Sequence, residues 1–101
     1  METAKMENLA NQVDYNPEKF THKLFLQNEN QKSILFAFSK GQELKTHTTP
    51  VPALLIMLEG NCEFQMNGLS QTLSAGEIIE IPAQVPHSLK AASDFKMLLV
   101  K

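Results

Sequence analysis

The sequence holds a single cysteine, Cys62, so no disulfide can close within the chain and a cross-linked scaffold is excluded. Tryptophan is absent and tyrosine occurs once, at Tyr15. No apolar stretch runs longer than Val51–Leu58, far short of the roughly 20 residues that a membrane-spanning helix needs. Nor does charge of one sign prevail: 9 basic and 11 acidic side chains are interspersed and leave a formal net charge of -2. That excludes the basic stripe that grips nucleic-acid phosphates, and the basic amphipathic helix that lies on a membrane surface. The leading residues mix acids and polar groups and lack the basic start and apolar core of a secretory signal. With one free thiol, they make the cytoplasm the expected compartment.

What is present is the composition of one globular domain: 101 residues, 43% hydrophobic and 20% charged. Residues 1–19 form an arm. In it Met6, Leu9 and Val13 recur at intervals of three and four, which predicts a short amphipathic helix ended by Asn16-Pro17. Residues 20–101 read instead as short strands separated by turn residues. The predicted strands cover 22–27, 32–39, 43–48, 53–59, 62–66, 69–73, 77–81, 87–91 and 95–100. Asn67-Gly68 is a two-residue hairpin signal, because both central positions of a type I′ turn need positive φ; Gly60-Asn61 is a second.

Alternation assigns faces. Cys62, Phe64 and Met66 share one side of their strand, and His87, Leu89 and Ala91 share one side of theirs. Residues 53–58 are apolar on both sides, so that strand needs cover from the arm or from another subunit. A homodimer is the expected assembly.

Two segments resemble the paired motifs of the cupin superfamily. The first motif there runs Gly, five residues, His, one residue, His, three or four residues, Glu, six residues, Gly; Gly41, His47, Thr49, Ala53 and Gly60 stand at those spacings. The second runs Gly, five residues, Pro, one residue, Gly, two residues, His, three residues, Asn; Gly76, Pro82, Gln84, His87 and Ala91 stand there. The resemblance covers residues 20–101. It implies an all-β single-domain cupin of the RmlC-like kind, a double-stranded β-helix or jelly-roll barrel behind a short helical arm. It also implies that His47 and His87 face into the barrel mouth.

The departures from the pattern bear on chemistry. Metal-binding cupins converge three histidines and a glutamate, whereas Thr49 and Ala53 replace two of those ligands here. A cation held by His47 and His87 alone, whether zinc, nickel, copper, iron or manganese, lacks a carboxylate to offset its desolvation. Met57 offers a soft thioether, though core packing is its ordinary role; Gln65 and Gln71 would reach inward only in the right strand phase. The phase of His47 is not settled by alternation, because Glu43 and Lys45 share its nominal face. His22 reads as a surface residue and Cys62 as a buried, inert one.

Two function classes follow. One is a binding module with a small-molecule pocket lined by Leu55, Met57, Phe64 and Leu89, with His47, Thr49 and His87 as its polar groups. The other is a metal-dependent cupin enzyme, dioxygenase- or isomerase-like, using His47 and His87 as ligands. Fold alone does not choose between them, since cupin barrels host enzymes, storage proteins and regulators alike.

Overall fold

The computed structural model describes residues 7–101. Nine strands follow one another: β1 Thr21–Gln27, β2 Lys32–Phe38, β3 Glu43–His47, β4 Ala53–Glu59, β5 Asn61–Met66, β6 Leu69–Ser74, β7 Ile78–Ile81, β8 His87–Ala91 and β9 Phe95–Val100. Each agrees with its sequence-derived range to within a residue at either end. Turn chemistry explains why: Asn67 and Gly68 both take positive φ, 56° and 74°, between β5 and β6.

The strands form two antiparallel sheets, β1-β2-β9-β4-β7 and β3-β8-β5-β6, packed face to face as a jelly roll. Among the described residues no ladder joins one sheet to the other, so the barrel has open edges. Between the sheets lies one apolar core that includes Phe38, Leu55, Met57, Phe64, Ile81, Leu89, Phe95 and Met97. Alternation places these residues as the sequence pattern requires: Cys62 and Phe64 point in, as do Leu89 and Ala91.

The arm departs from expectation. Its helix is one 3-10 turn, Leu9–Gln12, capped by the Asn8 side chain accepting from the Ala10 amide at 3.0 Å. Met6 lies outside the described residues. Val13 is extended, with φ -141° and ψ 143°, and it is buried against Leu35 and Ala37 rather than on a helix face. So short a helix is unstable without packing, and here the buried contacts belong to the extended chain beyond it. Tyr15 then donates to Glu59 at 2.6 Å, and Lys96 donates to the Ala10 carbonyl at 2.6 Å with its ammonium 4.9 Å over the Tyr15 ring. The arm thereby covers one half of the outer face of the five-stranded sheet, above Leu35, Ala37, Leu58 and Leu98. The four-stranded sheet instead turns a polar outer face to water, with Thr72 donating to Glu63 at 2.6 Å across β6 and β5.

Candidate functional site

His47 ends β3 and His87 begins β8, and the ladder sets them directly opposite each other. Strand phase alone does not deliver this. Leu44 faces Leu89 and His47 faces His87, so Lys45 and Thr46 on β3 oppose the single residue Ser88 on β8. Two residues against one is a β-bulge, and it rotates His47 from the face of Glu43 and Lys45 onto the face of His87. The inward placement implied by the motif resemblance is therefore found, and the bulge is its cause.

The two rings stand 4.4 Å apart, centroid to centroid, inclined at 58°. His87 is 5% exposed and lies over the Phe64 ring at 6.1 Å; His47 is half-buried nearer the rim. Each ring spends Nδ1 in the same way: His47 Nδ1 on the Lys45 carbonyl at 3.0 Å, His87 Nδ1 on the Val85 carbonyl at 2.9 Å. A carbonyl can only accept, so both Nδ1 atoms carry the proton. In each neutral ring Nε2 is then left with a free lone pair.

Thr49 is 5% exposed, but its hydroxyl donates to the Val51 carbonyl at 2.9 Å and so shapes the β3–β4 loop. The Thr49 carbonyl accepts from the Gln84 amide at 2.8 Å, which ties that loop to the β7–β8 loop. Gln84 takes a positive φ of 66° where the cupin pattern has glycine, so the turn survives at some strain. Leu55, Met57, Phe64 and Leu89 are each at most 4% exposed and belong to the closed core. They fill the core rather than wall an open cavity, and of the four Phe64 lies against the His87 ring. Met57 pairs with Met97, one strand row from Leu55 and Leu99, and packs in the same core.

Other sequence candidates separate from the site. Gln65 shares the outward face with Ser88, whose hydroxyl reaches it at 3.5 Å, while Gln71 opposes Phe64 in phase but sits exposed on the edge strand. His22 is exposed on β1, stacked 5.8 Å from Phe36. Cys62 is fully buried, and burial pushes its thiol up to about 11, with Glu63 adding to the shift, so it stays protonated and unreactive. Two grooves of about 460 and 470 Å3 open along the four-stranded sheet, and His87 itself lines the first, with Met66, Leu69 and Pro86. Alternation gave no hint of these grooves. Among the described residues no group of three or more His, Cys, Asp or Glu side chains gathers as a metal cluster.

His87 titrates below its ordinary 6.5. Burial is the main cause; the Val85 hydrogen bond opposes it, while the positive charges of His47 and Lys101 reinforce it. With the folded value depressed, the native chain binds fewer protons than the unfolded one just below pH 6.5. This share of stability is full above that pH and is lost on acidification. Thermal melts of the wild type should therefore fall more steeply from neutral to mildly acidic pH than those of His87→Gln. Parallel profiles for the two proteins would remove His87 as the source.

The comparisons agree with this fold. The cupin domain family matches residues 34–101. No curated protein matches the chain. A conserved protein of unknown function from Streptococcus pyogenes is 30% identical, with a TM-score of 0.89 over 99% of this chain and 88% of that one. An RmlC-like cupin from Desulfovibrio desulfuricans is also 30% identical, with a TM-score of 0.84 over 97% and 95% of the two chains. A cupin superfamily protein from Desulfitobacterium hafniense shares the fold at a TM-score of 0.92 and 18% identity, covering 100% of this chain and 93% of its own. With both motifs in place on a two-sheet jelly roll and the domain family spanning β2 to the last residue, the chain belongs to the cupin superfamily.

Proposed function

We propose that this cupin is a binding protein that takes a small molecule at the His47–His87 end of the sandwich. One observation carries the reading: two imidazoles 4.4 Å apart have both Nδ1 atoms committed to backbone carbonyls, which leaves Nε2 free on each ring, with the Phe64 ring against His87. A few fixed polar groups over apolar surface are what small-molecule sites are made of. The buried, unpaired Cys62 suits a reducing compartment, and we assign the protein to the cytoplasm.

The test is a fragment screen read by histidine side-chain nitrogen spectra. Bound fragments should shift both Nε2 resonances, and His47→Ala should weaken them roughly tenfold, the loss of one net hydrogen bond. His47 is the better position to truncate because it is half-buried and outside the apolar core. Fragments that bind His47→Ala as tightly as the wild type would refute a site at these rings.

The same nitrogens favour a second reading, a metal-dependent enzyme. Ligating histidines commonly donate their other ring N–H to a carbonyl, as both rings do here. His47 and His87 would hold a divalent ion through Nε2, and such an ion would polarise a substrate carbonyl or activate a bound water. The donor set is nevertheless two neutral nitrogens, with the Thr49 hydroxyl donating elsewhere and Ala53 in place of a carboxylate. It fits a loosely held ion and not the three-ligand set of a resident catalytic one. Stoichiometric metal after dialysis against a chelator, found by elemental analysis, would decide for the enzyme.

A further inference from the structure

The pairings at one end of the four-stranded sheet set four side chains in a row: His47 opposite His87, His87 opposite Met66, and Met66 opposite Leu69. Residues directly opposite each other in a ladder share a face, so the row runs along the inner side of β3, β8, β5 and β6. Two imidazoles are thus continued by two apolar side chains. Met66 is half-buried, and Leu69, at 64%, is the most exposed large apolar side chain among the described residues. His87, Met66 and Leu69 together line the groove of about 460 Å3, with Pro86 beside them. Gln65 and Ser88 alternate to the outer side of the sheet and give the groove a polar edge.

The polar half of the row accepts and does not donate. Each Nδ1–H is used on a backbone carbonyl, so a molecule lying across the rings meets Nε2 lone pairs alone. The ring centroids are 4.4 Å apart and a ring nitrogen lies about 1 Å from its centroid, which puts the two Nε2 atoms within about 7 Å of each other, inside the reach of one small head group. A carboxylate has no proton to offer such a pair. An ammonium has, but among the described residues no acidic side chain gathers with the two rings, and Lys101 sets a like charge near His87. A neutral hydroxyl meets both conditions. The apolar half of the row governs the rest of the molecule: with strands about 4.8 Å apart, Leu69 stands roughly 10 Å from His87, the length of a short hydrocarbon body.

We propose that the ligand of this site is a neutral amphipathic alcohol, its hydroxyl head donating to Nε2 of His47 and of His87 and its apolar body lying along Met66 and Leu69. This rests on the small-molecule reading of the two rings and adds to it the class of molecule and the direction in which it lies. Covering the exposed Leu69 and the half-buried Met66 drives the association, and the imidazoles orient the head.

The test titrates hexane-1,2-diol into the full chain at about pH 7.5, where an ordinary imidazole is neutral, with a chelator present so that no metal mediates the contact. Histidine side-chain nitrogen spectra are the readout. The diol should shift Nε2 of both rings and bind roughly tenfold tighter than 1,2-dimethoxyhexane, which has the same body and donates nothing. Hexanoate and hexylammonium should bind more weakly than the diol. Leu69→Ser alters an exposed side chain, so the melting temperature should hold while affinity for hexane-1,2-diol falls roughly fivefold and that for ethane-1,2-diol, which lacks the body, stays the same. His47→Phe keeps a ring without an acceptor and should remove most of the advantage of the diol over the ether. An ether or a carboxylate that binds as well as the diol and shifts both rings overturns the donor head and leaves a small-molecule site standing there. A diol indifferent to Leu69→Ser lies elsewhere and also overturns the proposal. If no probe shifts either ring, the small-molecule reading falls with it.

Discussion

Phe38→Ala should lower the unfolding free energy by about 3–5 kcal/mol, the range for emptying a buried aromatic position. Phe38 has no exposed surface. It stacks on Phe95, its partner across the β2–β9 ladder, at 4.8 Å and 3°, and on Phe20 at 4.6 Å and 19°. Truncation removes both ring contacts at once. The neighbours are held by strand pairing and by other core side chains, so little collapse can fill the space. For a domain of this size the midpoint should drop by more than about 12 °C, measured as a two-state thermal or urea transition. A loss under about 1.5 kcal/mol would mean that the far end of the sandwich is loosely packed, contrary to the stacking.

Gly60→Ala should be of similar size for a different reason. Gly60 turns the chain between β4 and β5 at φ +72°, and an added Cβ would stand 1.9 Å from the Asp94 carbonyl oxygen and 2.8 Å from the Phe95 Cα. Both are main-chain atoms at the start of β9, so relief requires moving a strand that pairs on both sides, with β2 and with β4. The left-handed conformation adds about 1–2 kcal/mol for any residue with a side chain. We expect a total of about 3 kcal/mol or more. Gly41→Ala is the control: φ is +90° but nothing lies within 4 Å of the added carbon, so only the conformational cost applies. Equal effects at the two positions would show that the turn near Asp94 yields easily.

The motif glycine at position 60 thus has a concrete cause, the close passage of another strand's backbone. No reading of one segment reveals that, because the obstructing atoms come from more than thirty residues further along the chain. His47 teaches the same lesson. Strict alternation puts it with Glu43 and Lys45, and only the extra residue opposite Ser88 turns it inward. Bulges depend on the pairing partner, and their position cannot be read from the bulged strand alone.

Thr49 and the four core residues show where chemistry was legible in type but not in role. The burial of Phe64 and Leu89 follows from apolar alternation, yet whether Leu55, Met57, Phe64 and Leu89 line a space or fill it depends on how closely two sheets approach. The Thr49 hydroxyl is spent within its own loop because the turn presents the Val51 carbonyl to it.

By itself the sequence determined the nine strands, the inward sets on β5 and β8, the hairpin at Asn67-Gly68 and the inertness of Cys62. All are consequences of local φ preference and period-two alternation, which act over a few residues. Tertiary structure alone decided the meeting of the two imidazoles, the commitment of their Nδ1 atoms, the single-turn form of the arm and the part of the sheet against which Val13 and Tyr15 pack. Each of these depends on contacts between segments far apart in the chain, and a contact of that kind exists only once the strands have paired.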